Sequence, residues 1–315
     1  MIKFSVTIPA YKAKFLKEAI NSVISQSYSH WELIILDDCS PENILEICSL
    51  YLTDSRIKYY RNSTNVGAVD VVDNWNKCLS YASGDFLICM GDDDILCENA
   101  LEVYADYILK FPQYDLFHAF TEIIDEKSEF LNFQESRPLM ESVYSMVWHR
   151  ISRKRDQFIG DFLFRTDKLR AVGGFYKLPL AWASDDITAY LCARDHGVVN
   201  IPEILFRYRM NRYTISNTGN VLIKLRAIDC EFKWYQDNII NSRPSLEQDI
   251  KYLQLISTIL ISSFNRKKVS TIAGGMGTNK MSLLANLLRY KTLYNISFRQ
   301  IVQGFVLNFI RSNNV

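Results

Sequence analysis

The chain has 315 residues, 48% apolar and 23% charged, with a formal net charge of +1. This excludes disorder and low complexity, and gives room for one large α/β domain with an appendage or two small domains. The charge is unevenly placed. Residues 266–315 hold eight bases (Arg266, Lys267, Lys268, Lys280, Arg289, Lys291, Arg299 and Arg311) and no acid. The other 28 of the 36 bases sit with all 35 acids, a net of −7. A basic tail on an acidic body points to an anionic surface as partner. The seven cysteines form no Cys-x-x-Cys pair, against a zinc site or disulfide framework and for a reducing compartment. No signal peptide is expected before the first strand, and no apolar stretch is long enough to span a membrane. The expected location is cytoplasmic, with membrane contact at most peripheral.

In chain order, residues 3–9 read as a strand ended by Pro9, and residues 14–27 as an amphipathic helix. Residues 31–36 form a second buried strand closed by Asp37-Asp38. Ser40, Pro41 and Glu42 then read as N-cap, first helical residue and early acid of a helix to about Leu52. Residues 56–61 give a third strand and residues 71–82 a helix. Residues 86–90, five consecutive apolar residues, run into Asp92-Asp93-Asp94. A helix is expected over 98–110 and a strand over 115–120. Residues 125–160 lack a clear period and read as a long loop or short helices over a cleft. A strand at 162–165, a helix at 167–172 ended by Gly173-Gly174, and a helix N-capped by Ser184 follow. Residues 198–208 are strand-like and broken at Pro202. From about Val221 onward the pattern is helical, and Gly274-Gly-Met-Gly277 reads as a hinge.

Strand–helix alternation predicts an α/β fold, a mostly parallel sheet sandwiched by helices, with a C-terminal helical extension. The division expected is 1–218 for the α/β domain and 219–315 for the helical region. In such folds ligands bind beyond the carboxyl ends of the strands, where strand order reverses. Asp37-Asp38 and Asp92–Asp94 would share that rim. Three adjacent carboxylates repel one another, and a Mg²⁺ or Mn²⁺ ion beside them would remove the penalty. Without a ligand the triplet would be only a solvated acidic turn. Asp185-Asp186, approached through a glycine-rich aromatic loop, could supply a general base toward an acceptor hydroxyl. Neither a dinucleotide-binding nor a Walker glycine motif is present, no histidine stands at metal spacing, and no nucleic-acid motif appears.

Several segments together carry a resemblance: Pro9-Ala-Tyr11, Ala19-Ile-Asn-Ser-Val-Ile-Ser-Gln26, Trp31 to Ser40, Asn65-Val-Gly67, Ala82-Ser-Gly84 and Gly91-Asp-Asp-Asp94. In this order they resemble the GT-A glycosyltransferases of family 2, which are inverting and use nucleotide-diphosphate sugars. Looser matches follow at Phe162 to Arg165, Val172 to Phe175, Asp185-Asp186 and Tyr208-Arg209…Ser216. The resemblance implies that Pro9, Ala10 and Tyr11 line the nucleotide pocket and that Asp38 accepts from the base, commonly uracil. It also places Asp92 near the ribose and makes Asp93, with Asp94 in support, the ligand of Mn²⁺ or Mg²⁺. Asp186 would be the catalytic base, with Asp185 supporting it or contacting the acceptor. Arg209 would lie in a late loop closing over the diphosphate. Two departures stand out: Gly91 replaces the first acid of the usual motif, and Trp75-Asn76 replaces an Arg-Asn pair.

The implied partners are a nucleotide-diphosphate sugar, expected to be a UDP-sugar, and a glycan or lipid-linked acceptor, in bacterial surface polysaccharide synthesis. Residues 266–315 are expected to meet either the α/β domain as a helical cap or an anionic membrane surface. The alternatives are a sugar nucleotidyltransferase and a non-catalytic nucleotide-sugar or lipid-binding module. A glycine-poor Tyr11-Lys-Ala-Lys14 opposes the first, and the presence of both acidic sites opposes the second.

Overall fold

A computed structural model describes residues 1–211, 220–275 and 280–313. Its centre is a ten-stranded sheet. Strands β1 (Phe4–Ala10), β2 (Trp31–Asp37), β3 (Ile57–Arg61) and β4 (Phe86–Cys89) lie in the order β3-β2-β1-β4, paired in parallel. β2 is buried throughout, as a parallel strand covered on both faces must be. Beyond β4 come β9 (Phe162–Arg165), antiparallel to both its neighbours, then β6 (Leu116–Ile124), β10 (Val198–Arg209) and β5 (Ile95–Leu96). β6 and β10 pair in parallel over their length.

Helix α1 (Leu16–Ile24), α2 (Ile44–Ser49) and α4 (Ala100–Lys110) cover one face, burying Leu16, Ile20, Ile44, Leu101 and Tyr104 against the strands. The other face holds α3 (Val71–Tyr81), α5 (Val143–Ile151), α6 (Thr166–Ala171) and α7 (Ser184–Cys192). Its core continues into α8 (Val221–Tyr235) and α9 (Glu247–Gly274) through Trp234, Tyr235, Ile256, Leu260 and Phe264. A third, small core joins α8 and α9 to α10 (Lys280–Arg289) and α11 (Phe298–Asn313) through Leu225, Ile272, Leu287 and Ile301.

Four expectations are corrected. Helix α2 is capped by Asn43, whose side chain accepts from the Glu46 amide, while Ser40 accepts from Glu42 N and donates to Tyr11 O. Ser184 is the first residue of α7, and its cap position is taken by Ala183 in the left-handed region. Residues 125–160 are largely ordered as β7 (Phe130–Phe133), β8 (Met140–Glu141) and α5, because β6 and β10 offer free edges to pair. Pro202 does not break β10; the strand absorbs it as register shifts between Ile201 and Phe206. The expected boundary at 218/219, Ser216 and Gly277 lie outside the described residues.

Candidate active site

Strand order reverses between β1 and β4, and the loops after these strands are tied together there. One oxygen of Asp92 accepts from the amides of Tyr11 and Lys12, each at 2.7 Å. The loop after β2 joins the knot through Asp38 N to Ala10 O at 2.9 Å. Ala10 is buried, Pro9 half-buried, and Tyr11 presents 44% of its surface. Asp38 is buried beside this knot. Its carboxylate accepts from Asn62 Nδ2 at 2.9 Å, Val66 N at 3.0 Å and Asn65 Nδ2 at 3.1 Å. Asp37, by contrast, is fully buried among Ser40 N, Tyr59 and Arg61, and serves the fold.

The three carboxylates of the triplet do different work. Burial, then the charge of Asp93, raises the Asp92 pKa to about 6. Asp94 is 4% exposed and spends its oxygens on Arg209 N at 3.0 Å and Gly91 N at 3.1 Å. Asp93 is more open and takes a hydrogen bond from Asn211 Nδ2. Burial also raises its pKa, although Lys12 and Arg209 oppose this. Gly91 explains the departure from the usual acid at that position. A Cβ there would lie 2.8 Å from both Asp93 Oδ1 and Asp94 Oδ2, so these carboxylates fold over a bare backbone. Among the described residues no group of three or more His, Cys, Asp or Glu is arranged to hold a metal. The donor set fits an ion such as Mg²⁺ or Mn²⁺, which takes one or two carboxylates and completes its shell with water and phosphate oxygens.

Arg209 is placed differently from expectation. It ends β10 rather than lying in a loop, it is 1% exposed, and each of its guanidinium nitrogens donates. Nε donates to Asp93 O at 2.8 Å, Nη1 to Asp125 O and Ser128 Oγ, and Nη2 to Glu18 at 2.7 Å. It is a strut beneath the triplet, because a buried arginine must have its charge and donors compensated by the protein around it.

The second acidic pair is reached through a strained loop. Leu180, Ala181 and Ala183 all have positive φ, at 62°, 50° and 57°. Such backbone persists only when its surroundings over-determine it. Here Ser184 Oγ accepts from Leu178 N, and Trp182 Nε1 donates to the buried Glu231, which Lys267 of α9 also holds at 2.7 Å. Asn76 of α3 clamps both backbone groups of Phe175, and a Cβ on Gly174 would come within 2.3 Å of its side chain. Trp75-Asn76 thus anchors this loop. Asp186 is 3% exposed and is gripped by Arg150 Nε at 2.9 and 3.0 Å and by Gln157 at 2.9 Å. Asp185 is half-buried; burial, then the charge of Asp186, raises its pKa to about 7. Tyr208 lies between the two acidic regions, next to Arg209, which bonds Asp93 and Asp94, and against the neighbour of Gln157, which bonds Asp186. It stacks on Phe158 at 3.7 Å, and its own pKa is raised by burial and then by Asp94, Asp93 and Asp185.

The family model described as "Glycosyl transferase family 2" matches residues 5–170. The chain belongs to this glycosyltransferase family. EpsE of Bacillus subtilis (strain 168) is 29% identical over 213 residues, 66% of this chain and 73% of that protein. The UDP-Glc:alpha-D-GlcNAc-diphosphoundecaprenol beta-1,3-glucosyltransferase WfgD of Escherichia coli is 37% identical over 107 residues, 34% of this chain and 41% of that protein. The crystal structure of Staphylococcus aureus TarS 1-349 in complex with UDP-GlcNAc aligns with a TM-score of 0.67 over 99% of this chain and 92% of that one. At 15% identity this likeness is one of fold.

Within this glycosyltransferase the structure adds residues that sequence reasoning missed. Lys12 and Lys77 put positive charge beside Asp92–Asp93 and beside Asn62, where the absent Arg-Asn pair left none. Lys12 follows the Pro9-Ala-Tyr11 signature directly and could have been found from it. Arg150 and Gln157 lie in the aperiodic stretch, where no pattern marks them.

Proposed function

We propose that the enzyme transfers a sugar, with inversion, from a nucleoside diphosphate donor to a hydroxyl of a glycan or lipid-linked acceptor in bacterial surface polysaccharide synthesis. The donor proposed is a UDP-sugar. The observation that carries this reading is the packing around Tyr208: it stacks on Phe158, whose neighbour Gln157 holds Asp186, and it precedes Arg209, which bonds Asp93 O and Asp94. Donor and acid–base groups therefore share a wall. The donor named for WfgD and the UDP-GlcNAc held by TarS support the same class.

In this reading Pro9, Ala10, Tyr11 and Asp38 receive the nucleoside, and Asp92 holds their loop beside the ribose. Asp93, with Asp94 beside it, would hold Mn²⁺ or Mg²⁺, which offsets negative charge on the diphosphate when bound. Asp186 takes the proton of the acceptor hydroxyl. The oxygen bonds to the anomeric carbon as that carbon's bond to the diphosphate oxygen breaks, and the nucleoside diphosphate leaves with the electron pair. Calorimetry of UDP with and without Mn²⁺ tests the donor site. Binding should require the ion and be lost in Asp93→Ala; equal affinity without the ion would remove the metal from the proposal.

A membrane contact is proposed for the tail. Phe298, Val302, Val306, Phe309 and Ile310 are exposed along one face of α11, in a region bearing bases and no acids. No helix among the described residues is long and apolar enough to cross a membrane. Sedimentation with phosphatidylglycerol vesicles should carry down the full chain and leave Val306→Glu/Phe309→Glu in solution. Equal sedimentation of both would end the idea.

A further inference from the structure

A groove of about 1030 Å³ runs along α9 and α11, and its wall carries Arg153, Arg266, Lys268, Arg299 and Arg311 with no Asp or Glu. Lys268 is neutralised by Asp229 at 3.1 Å. The four arginines are not: among the described residues none has a carboxylate within 4.0 Å, and the nearest polar contacts are Ser263 to Arg266 at 3.5 Å and Ser270 to Arg311 at 3.4 Å. Four arginines lining one concavity with no acid among them leave it net positive, a charge that a bound anion would offset. Their planar forks match phosphate oxygens in pairs, which an ammonium does not.

The groove leads to the chemistry. A smaller cavity of about 300 Å³, lined by Asp186, Arg150 and Lys267, shares Arg153 and Phe264 with it. Asp92 and Asp93 are not among the residues lining the arginine groove, so the groove is not the donor's diphosphate site. The exposed apolar stripe of α11 is separate too, since Phe298, Val302 and Phe309 are absent from the groove wall. A concave, arginine-lined pocket suits a compact phosphate group rather than a flat bilayer.

We propose that this groove binds a phosphate of the acceptor. The acceptor is then a phosphate-bearing glycan whose sugar end reaches Asp186 through the smaller cavity while its anionic end rests among Arg153, Arg266, Arg299 and Arg311. This deepens the proposed function and rests on Asp186 standing on the acceptor side.

Inorganic pyrophosphate is the probe, titrated into the full chain by calorimetry under saturating UDP and Mg²⁺ in excess over both. Binding is expected with the donor site filled, weakened at least tenfold in Arg266→Glu/Arg299→Glu and by a smaller factor in Arg266→Lys/Arg299→Lys, which keep the charge but lose the paired forks. Both positions are exposed, so the variants should melt like the parent. No pyrophosphate binding under saturating UDP, or equal affinity in parent and charge-reversed variant, overturns the proposal. The UDP titration that precedes it reports the donor reading separately. Failure of UDP to bind would sink that reading, and the difference between the variants would still decide the groove.

Discussion

The acidic rim and the basic tail of this glycosyltransferase handle charge in opposite ways. On the rim, almost every carboxylate is held by the protein itself: Asp92 by two amides, Asp94 by two more, Asp38 by three donors, and Asp186 by Arg150 and Gln157. In the groove of the tail, four arginines stand without acidic partners among the described residues. Groups fixed before the substrate arrives suit transition-state electrostatics, because no reorganisation remains to be done during the reaction. Groups left unpaired suit binding, because the ligand supplies what the protein withholds. The rim is therefore the place to lose turnover and donor binding, and the tail the place to lose affinity for a phosphate-bearing acceptor.

The largest expected effect tests that division directly. Asp186→Asn keeps the shape of the side chain and its Gln157 neighbour but removes the proton acceptor. Turnover should fall by about 10²–10⁴, with UDP affinity unchanged. Turnover within a few-fold of the parent would place the base elsewhere. Arg266→Glu, made in the tail, should leave hydrolysis of the donor untouched. Next comes the strut. Arg209→Ala strips partners from Glu18, Ser128 and two carbonyls in a buried place, and should cost about 3–5 kcal/mol in urea unfolding. A cost below about 1 kcal/mol would mean that Arg209 is not a strut.

The same contrast explains what could be read from sequence. The buried strands β1, β2 and β4 and their terminal acids were legible, since apolar runs closed by Pro9, Asp37-Asp38 and Asp92 carry their own punctuation. The helical character beyond Val221 was legible for the same reason. The role of Arg209 was not, because its partners come from three separate segments: Glu18, Asp93, and the turn holding Asp125 and Ser128. Arg150 was hidden likewise: α5 gains its order from packing on α7 and α9, which no local period reveals. Charge asymmetry did mark the tail, yet not that Arg153, far upstream, would complete its groove.

A third prediction separates the two acids of the second pair by pH. The folded pKa of Asp185, about 7, lies above the ordinary aspartate value of about 3.9. Between those values the folded state holds the proton more tightly, so this group's contribution falls as pH rises through that window. At pH 8 the ionised carboxylate faces Asp186 and Asp161, relieved only in part by Arg150. Asp185→Asn should thus match the parent at low pH and gain on it by about 2 kcal/mol at pH 8, discounted for partial exposure. Urea midpoints at pH 5 and pH 8 give the answer, and a constant difference between them would deny the raised pKa.

The smallest effect is expected where the tail joins the body. Gly304 lets α11 lie against α9: a Cβ there would come within 2.5 Å of Ile272 Cγ2 and 2.8 Å of Ile272 Cβ. Ile272 is itself fully buried in the small third core, so it has little room to withdraw. Gly304→Ala gains about 1 kcal/mol of helix propensity but meets an overlap worth about 1–3 kcal/mol, for a net loss of about 1 kcal/mol in that contact. The third core involves α8 to α11 and none of the sheet, so the loss should stay local. Hydrogen exchange should quicken in α11 alone, and pyrophosphate affinity should drop because Arg299 and Arg311 ride on that helix. Exchange in β1, β2 and β4 and affinity for UDP should stay as in the parent. If instead the strands lose protection together with α11, rim and tail are one cooperative unit, and the division of labour between them fails.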